Sequence, residues 1–211
     1  MINQSNIILI GPMASGKTAI GNEISYITGY KYTPIDKLKW YYRFQNGYDL
    51  VKSQAILRSQ GFEALLEYAK PYFTSKDLKE LLNQFTGIIE LGATDTHSND
   101  LSTIKTINEV LTPYPNIFLI LPYDDEELSK SELRKRLIER YKTDSLKKPI
   151  LSTYIKKNEE FLVSPQNALV AKHIIYCNDR TVHQIAETII SKSELGNKSL
   201  KLSANFLNPM E

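Results

Sequence analysis

The chain has 211 residues, enough for one domain with a substantial core but not for two. Its 26 lysines and arginines nearly balance 24 aspartates and glutamates, which excludes the overall basic field that grips nucleic acid and favours a small anionic substrate. Cys177 is the only cysteine, so a disulfide framework and a cysteine-rich metal site are excluded and a reducing compartment is the simplest setting.

Polar Asn3, Gln4, Ser5 and Asn6 precede the first apolar run and make neither a signal peptide nor a membrane span, so a soluble, cytoplasmic protein is expected. The run Ile7 to Ile10 reads as a buried strand and leads directly into GPMASGKT, residues 11–18, a complete G-x-x-x-x-G-K-[ST] phosphate-binding loop. A helix follows, with Ile20, Ile24 and Ile27 on one face. Strand, loop and helix start together make an anion site, because backbone N–H groups and the helix dipole converge there. Gly11 allows the sharp exit from the strand, and Gly16 removes a side chain where backbone meets polyphosphate. Met13, Ala14 and Ser15 complete the loop, with Ala14 and Ser15 keeping it small. Lys17 supplies charge to the terminal phosphates, and the Thr18 hydroxyl is placed for a nucleotide-bound Mg2+.

Tyr30 to Ile35 reads as a second strand ending near Pro34, with Asp36 just beyond. An aromatic and basic stretch, Lys37 to Phe44, precedes a turn and three helical segments: Val51 to Arg58, Phe62 to Tyr68 and Lys76 to Phe85. Ile88 to Leu91 is a third buried strand, followed by the polar loop Gly92 to Asn99. A helix over Leu101 to Leu111 leads to the most hydrophobic strand, Ile117 to Leu121. The next helix, about Asp124 to Tyr141, starts with acids and ends with bases, as its dipole prefers. Residues 142–157 are lysine-rich and lack a strong pattern. Asn158 to Phe161 and Asn167 to Ala171 look helical around Pro165, His173 to Cys177 is strand five, and Thr181 to Lys192 closes the domain as an amphipathic helix. Alternation of this kind implies right-handed crossovers and a parallel sheet covered on both sides. Ligands then bind at the carboxyl ends of the strands.

The stretch IILIGPMASGKTAIGNEISYITGYKYTPID resembles the opening of the shikimate kinase-like small P-loop kinases, and AKHIIYCNDRTVHQIAETII more weakly resembles their last strand, adenine-side loop and closing helix. The resemblance covers about 50 residues at the two ends of the chain. It implies a three-layer α/β P-loop kinase fold over residues 1–193, with a five-stranded parallel sheet, an acceptor-binding helical insert at 37–85 and a lid at 142–157. A loosely packed or docked tail, 194–211, follows. It also implies ATP and Mg2+ as cofactors and phosphorylation of a hydroxyl on a small-molecule acceptor. Three departures mark the acceptor end. Pro34 takes the first place of the family's Asp-x-Asp pair while Asp36 keeps the second; the glycine triplet is reduced to Gly92; and Arg43 is the one candidate for the carboxylate-binding arginines.

Each candidate residue has a plainer reading beside the chemical one. Asp36 either orients or deprotonates the acceptor or is a helix N-cap. Glu90, in an apolar strand, holds Mg2+ waters or makes a structural ion pair. Asp95 and His97 touch substrate or sit in a solvated loop. Among Arg134, Arg136 and Arg140, Arg136 and Arg140 are the leading candidates to close over the phosphates; otherwise the three form a basic face paired with Glu132 and Glu139. Asn178 and Arg180 match the resemblance's adenine-contacting loop, unless Asn178 or Asp179 merely caps the last helix. Trp40, Tyr41 and Tyr42 wall the acceptor or pack the core. The expected function is a kinase with an altered acceptor site. A nucleoside, nucleotide or sugar-acid kinase, or a nucleotide-dependent regulatory module with little phosphotransfer, are the alternatives. Neither a membrane nor a nucleic acid partner is expected, and the residues set no oligomeric state.

Overall fold

A four-residue strand with no polar face, Ile7–Ile10 (β1), is stable only where both of its faces are covered. The computed structural model, which describes residues 5–98, 100–144 and 148–193 (without the side chain at 149), places it in the middle of a sheet. The other strands are Tyr32–Pro34 (β2), Ile88–Glu90 (β3), Ile117–Leu121 (β4) and His173–Tyr176 (β5). They run parallel in the order β2-β3-β1-β4-β5, with Ile8 opposite both Ile89 and Ile117.

Successive strand residues point to opposite faces, and the core divides accordingly. Ile8, Ile10, Ile89, Ile117 and Leu119 pack on one side with Ile35, Leu78, Leu81, Ile107 and Leu111. These come from helices Ile35–Gln45 (α2), Ser75–Gln84 (α5) and Leu101–Leu111 (α6). Ile7, Leu9, Ile88, Phe118 and Ile120 pack on the other side with Ile20, Ile24, Ile185 and Ile189, from Lys17–Thr28 (α1) and Val182–Lys192 (α10). This is the expected three-layer α/β arrangement with a five-stranded parallel sheet.

The segment between α2 and α5 is helical as expected, with Leu50–Gln60 (α3) and Phe62–Ala69 (α4). Glu126–Tyr141 (α7) carries the three arginines after β4. The stretch 142–157, without a strong sequence pattern, is partly helical: a 3-10 turn, Lys148–Ile150, runs into Leu151–Leu162 (α8), while the helix expected after Pro165, Pro165–Val170 (α9), starts on its proline, where a missing N–H costs nothing. The helix signal is weak because α8 opens with three consecutive hydroxyl residues, Ser152 to Tyr154, one of them β-branched, and the helix is held by packing on α7. Residues 145–147 of the expected lid and the expected tail 194–211 lie outside the described residues. Among the described residues no helix is long and apolar enough to cross a membrane.

Asn6 ties the start of β1 to the start of its neighbour β3. Fully buried, it donates to Phe85 O at 3.0 Å and accepts from Gly87 N at 2.9 Å. Asn6→Ala strands both buried backbone groups, so an equilibrium urea titration is expected to show a loss of about 2–4 kcal/mol with an unchanged m-value.

Candidate active site

The carboxyl edge of the sheet collects the loops that follow β1, β2, β3 and β5. At the end of β1 a Cβ on Gly11 would lie 2.5 Å from Ile120 O, and its φ of 138° is closed to other residues. The chain therefore leaves the sheet there. Ala14 (φ 62°) and Gly16 (φ 103°) are both left-handed, which turns successive backbone N–H groups toward one concave face. Gly16 has only Ile20 Cδ1, 3.8 Å from its missing Cβ, nearby, so its need is conformational rather than one of space.

Three features of the loop fit a polyphosphate and a hard cation. Ser15 Oγ is buried with no hydrogen-bond partner among the described residues, so the loop contains an unused polar atom. Lys17 Nζ donates to Gly11 O at 2.9 Å and Pro12 O at 2.8 Å, which parks the ammonium over the loop. Burial lowers its pKa, opposed by the charges of Glu90 and Asp36. Thr18 Oγ1 donates to the Glu90 carboxylate at 3.0 Å, and Tyr32 Oη bonds the same carboxylate. Among the described residues Glu90 is partnered by hydroxyls and not by a cation, so of its two readings the structural ion pair is not the arrangement found there. A hydroxyl and a carboxylate side by side at the start of α1 suit Mg2+, which takes few protein ligands beside nucleotide oxygens and water. Among the described residues no group of three or more His, Cys, Asp or Glu side chains could hold a metal alone.

Across from the loop stands Asp36. Pro34 occupies the N-cap of α2, so Asp36 lies inside the first turn and is not the cap. Its carboxylate accepts from Lys39 Nζ at 2.9 Å and is two-thirds exposed. Lys39 is buried and also bonds Asp95, whose carboxylate accepts from Gly92 N at 2.7 Å. A Cβ on Gly92 would come within 2.6 Å of Asp36 Oδ1, so that glycine makes room for the carboxylate. Desolvation pushes the Asp36 carboxyl up, but Lys39, with Lys17 and Arg43 beyond it, outweighs this and holds it below the usual range. Burial pushes Asp95 the other way, above its ordinary value, and the charge of Asp36 adds to that against the pull of Lys39. Lys39 resists the burial that would discharge it because both carboxylates hold its proton.

Beside this cluster lies a cavity of about 460 Å3 walled by α2, α4, the loop after β3 and α8. Arg43, one turn after Lys39, reaches into it, and its Nε is buried without a hydrogen-bond partner among the described residues. Its guanidinium rests near the rings of Trp40 and Tyr48, 5.4 and 5.6 Å from their centroids. His97 also faces the cavity, with Nδ1 3.0 Å from Ser164 Oγ and its ring edge-on to Phe161. The aromatic triplet does not line it: Tyr42 is core, packed on Phe73, while Trp40 and Tyr41 are exposed.

The three arginines of α7 separate. Arg136 Nη1 donates to Ala14 O at 3.2 Å while its Nε pairs with Glu132 at 2.7 Å, which puts it on the phosphate loop. Arg140 lies over Tyr141, and its charge is felt at Lys17. Arg134 pairs with Glu159 of α8 at 2.7 Å. In the last loop, Cys177 Sγ sits 4.0 Å from Ser15 O, so this loop adjoins the phosphate loop. Arg180 is turned onto α10, donating to Gln184 O at 3.1 Å and bonding Thr188. Neither Asn178 nor Asp179 caps α10. Thr181 does so through a capping box with Gln184, and Asp179 instead takes a left-handed turn (φ 52°).

Lys39 and Tyr32 are site residues that the sequence reading passed over. On a helix that begins at Asp36, Lys39 falls at i+3 and Arg43 at i+7, on one face, with the aromatic triplet between them.

A complete phosphate loop on the central strand of this sheet, with its acidic residue after β2, defines the fold of the small P-loop kinases. The chain has the shikimate kinase-like version of it. A shikimate kinase from Acinetobacter baumannii in complex with shikimate matches at TM-score 0.59 and 19% identity, over 93% of this chain and 96% of that one. A gluconokinase from Sinorhizobium meliloti 1021 matches at TM-score 0.53 and 14% identity, over 94% and 97%. The shikimate kinase of Bacteroides thetaiotaomicron matches at 0.52 and 13%, over 88% and 96%. No protein-family model matches the sequence, and no curated protein sequence matches it.

The Lys39 contacts carry a pH prediction. Desolvation pushes the Asp36 carboxyl up, and Lys39, with Lys17 and Arg43, outweighs it and holds the carboxyl down. Removing the nearest cation lets the carboxyl titrate at higher pH. The acid limb of the turnover profile of Lys39→Met/Asp95→Asn, in which no buried charge is left unpaired, is expected to move to higher pH; an unmoved limb would show that Asp36 is not the titrating group.

Proposed function

We propose that the chain is an ATP-dependent phosphotransferase that transfers the γ-phosphoryl group of ATP-Mg to a hydroxyl of a small acceptor carrying an anionic group. The observation that carries this reading is placement at one edge of the sheet. Lys17 opens α1 after β1 and Asp36 stands in the first turn of α2 after β2, so the phosphate loop and the acceptor-side carboxylate address one space, in keeping with the effect of each charge on the other's titration.

Bound ATP-Mg supplies the electrophilic phosphorus and the leaving group. The backbone of Ala14 to Thr18, the Ser15 hydroxyl and Lys17 would hold the phosphates, and Thr18 with Glu90 would hold Mg2+ or its waters. Asp36, kept ionised by Lys39, orients the acceptor hydroxyl and takes its proton. Arg136 and Arg140 add positive charge beside the loop, where negative charge must be steadied during transfer. Asn178 and Arg180 stand on the base side by their place in the loop after β5. Residues 142–157 act as the lid that keeps water out, with the 37–85 insert forming the acceptor wall.

The acceptor class follows from the charges lining the cavity. Lys39 pairs with Asp36 and Asp95, Lys70 with Glu67, and Lys157 with Glu63 and Glu160. Among the described residues no carboxylate pairs with Arg43, which leaves one cation for one anionic group of a ligand. The solved neighbours named for shikimate and gluconate fit that class, as hydroxyl compounds with one carboxylate.

ATP consumption against shikimate, gluconate, nucleosides and nucleotides tests the proposal. Acceptor-dependent ADP release is expected, falling by about 100-fold or more in Lys17→Ala and in Asp36→Asn. Arg43→Met should raise KM for the anionic acceptor by about tenfold or more and leave kcat within a few-fold. Tight nucleotide binding with no acceptor effect in any arm would instead favour a regulatory module.

A further inference from the structure

The phosphate loop is held from outside by one amide. Asn158 of α8, 1% exposed, accepts from Met13 N through Oδ1 at 2.6 Å and donates through Nδ2 to Met13 O at 3.0 Å. Arg136 from α7 takes the next carbonyl, Ala14 O, at 3.2 Å. The residue between these bonds is Ala14, left-handed at φ 62° without being glycine. Such a conformation persists only where its surroundings over-determine it, and here both flanking peptides are tied to the α7 and α8 pair. Asparagine suits the task because donor and acceptor lie side by side in one plane, matching the N–H and C=O of a single residue.

We propose that Asn158 is a positioning residue of the phosphate loop, fixing the Met13–Ala14 turn in its anion-binding form so that nucleotide affinity depends on α8. This rests on the reading of residues 11–18 as the nucleotide site. Lys157, Glu160 and Phe161, at i−1, i+2 and i+3 from Asn158, line the acceptor cavity. A helix turns roughly 100° per residue, so α8 presents one face to the cavity and the adjoining face to the loop. The element that walls the acceptor is thereby the element that shapes the phosphate site.

The test uses the full chain with Asn158→Leu, which keeps the volume and loses both bonds. Val163→Thr, exposed at the C-terminal end of α8 and outside the cavity lining, is the control. Amide hydrogen exchange without nucleotide is expected to rise about tenfold or more in peptides spanning 11–18, with the β1 and β4 strands unchanged. ATP affinity by calorimetry is expected to fall about tenfold. Val163→Thr should match the natural chain in both. Should the leucine variant not fold, Asn158→Asp keeps the acceptor for Met13 N and loses the donor to Met13 O, and the same rise is expected. Exchange in 11–18 that stays at the natural rate, or protection lost evenly across the sheet, overturns the proposal. If the natural chain binds no ATP, the nucleotide reading falls, while the exchange measurement still decides the role of Asn158.

Discussion

Everything at this site depends on where the central strand stops. β1 is bonded on both sides, to β3 and β4, so it cannot shift along the sheet without breaking two ladders. At its end the carbonyl of Ile120 fills the space a side chain on residue 11 would need. The backbone must leave the sheet at Gly11 and returns as α1 at Lys17. Two left-handed residues in between aim N–H groups inward, and the dipole of α1 points at the same spot. The phosphate site is therefore a consequence of sheet packing, with few side chains needed to build it.

The carboxylate cluster after β2 and β3 is built on different physics. It relies on a buried cation, Lys39, shared by Asp36 and Asp95. Burying such a group is costly, and either carboxylate alone would repay less of that cost. The arrangement divides labour: Asp95 stays in the interior and anchors Lys39 to the loop after β3, while Asp36 reaches the exposed side and stays ionised. Gly92 belongs to this unit because a side chain there would displace Asp36. Asp95 closes the unit by accepting from Gly92 N.

Between the two ends stands α8. Its cavity-facing residues and Asn158 sit on adjoining faces of a single helix, packed against α7 with Arg134 bonded to Glu159. Arg136 on α7 reaches the same loop. One wall of the cavity and the outer rim of the phosphate loop are thereby joined through one packed pair of helices.

Much of this was legible in the residues. An apolar run before GPMASGKT, a periodic helix after it and alternating strands and helices determined the sheet, its parallel sense and the phosphate loop, because period and steric rules act locally. Asp36, Arg43, Glu90 and Arg136 stand out by residue type and by place after a strand or on a helix. What only the tertiary structure decided is which of these meet. Lys39 lies between two carboxylates 59 positions apart in sequence, Asp36 and Asp95, and Asn158 reaches Met13 across 145 residues. The helical signal of α8 is weak because contacts with α7 hold it. Pairings of that range follow from how layers stack on the sheet, and no local pattern of residues encodes them.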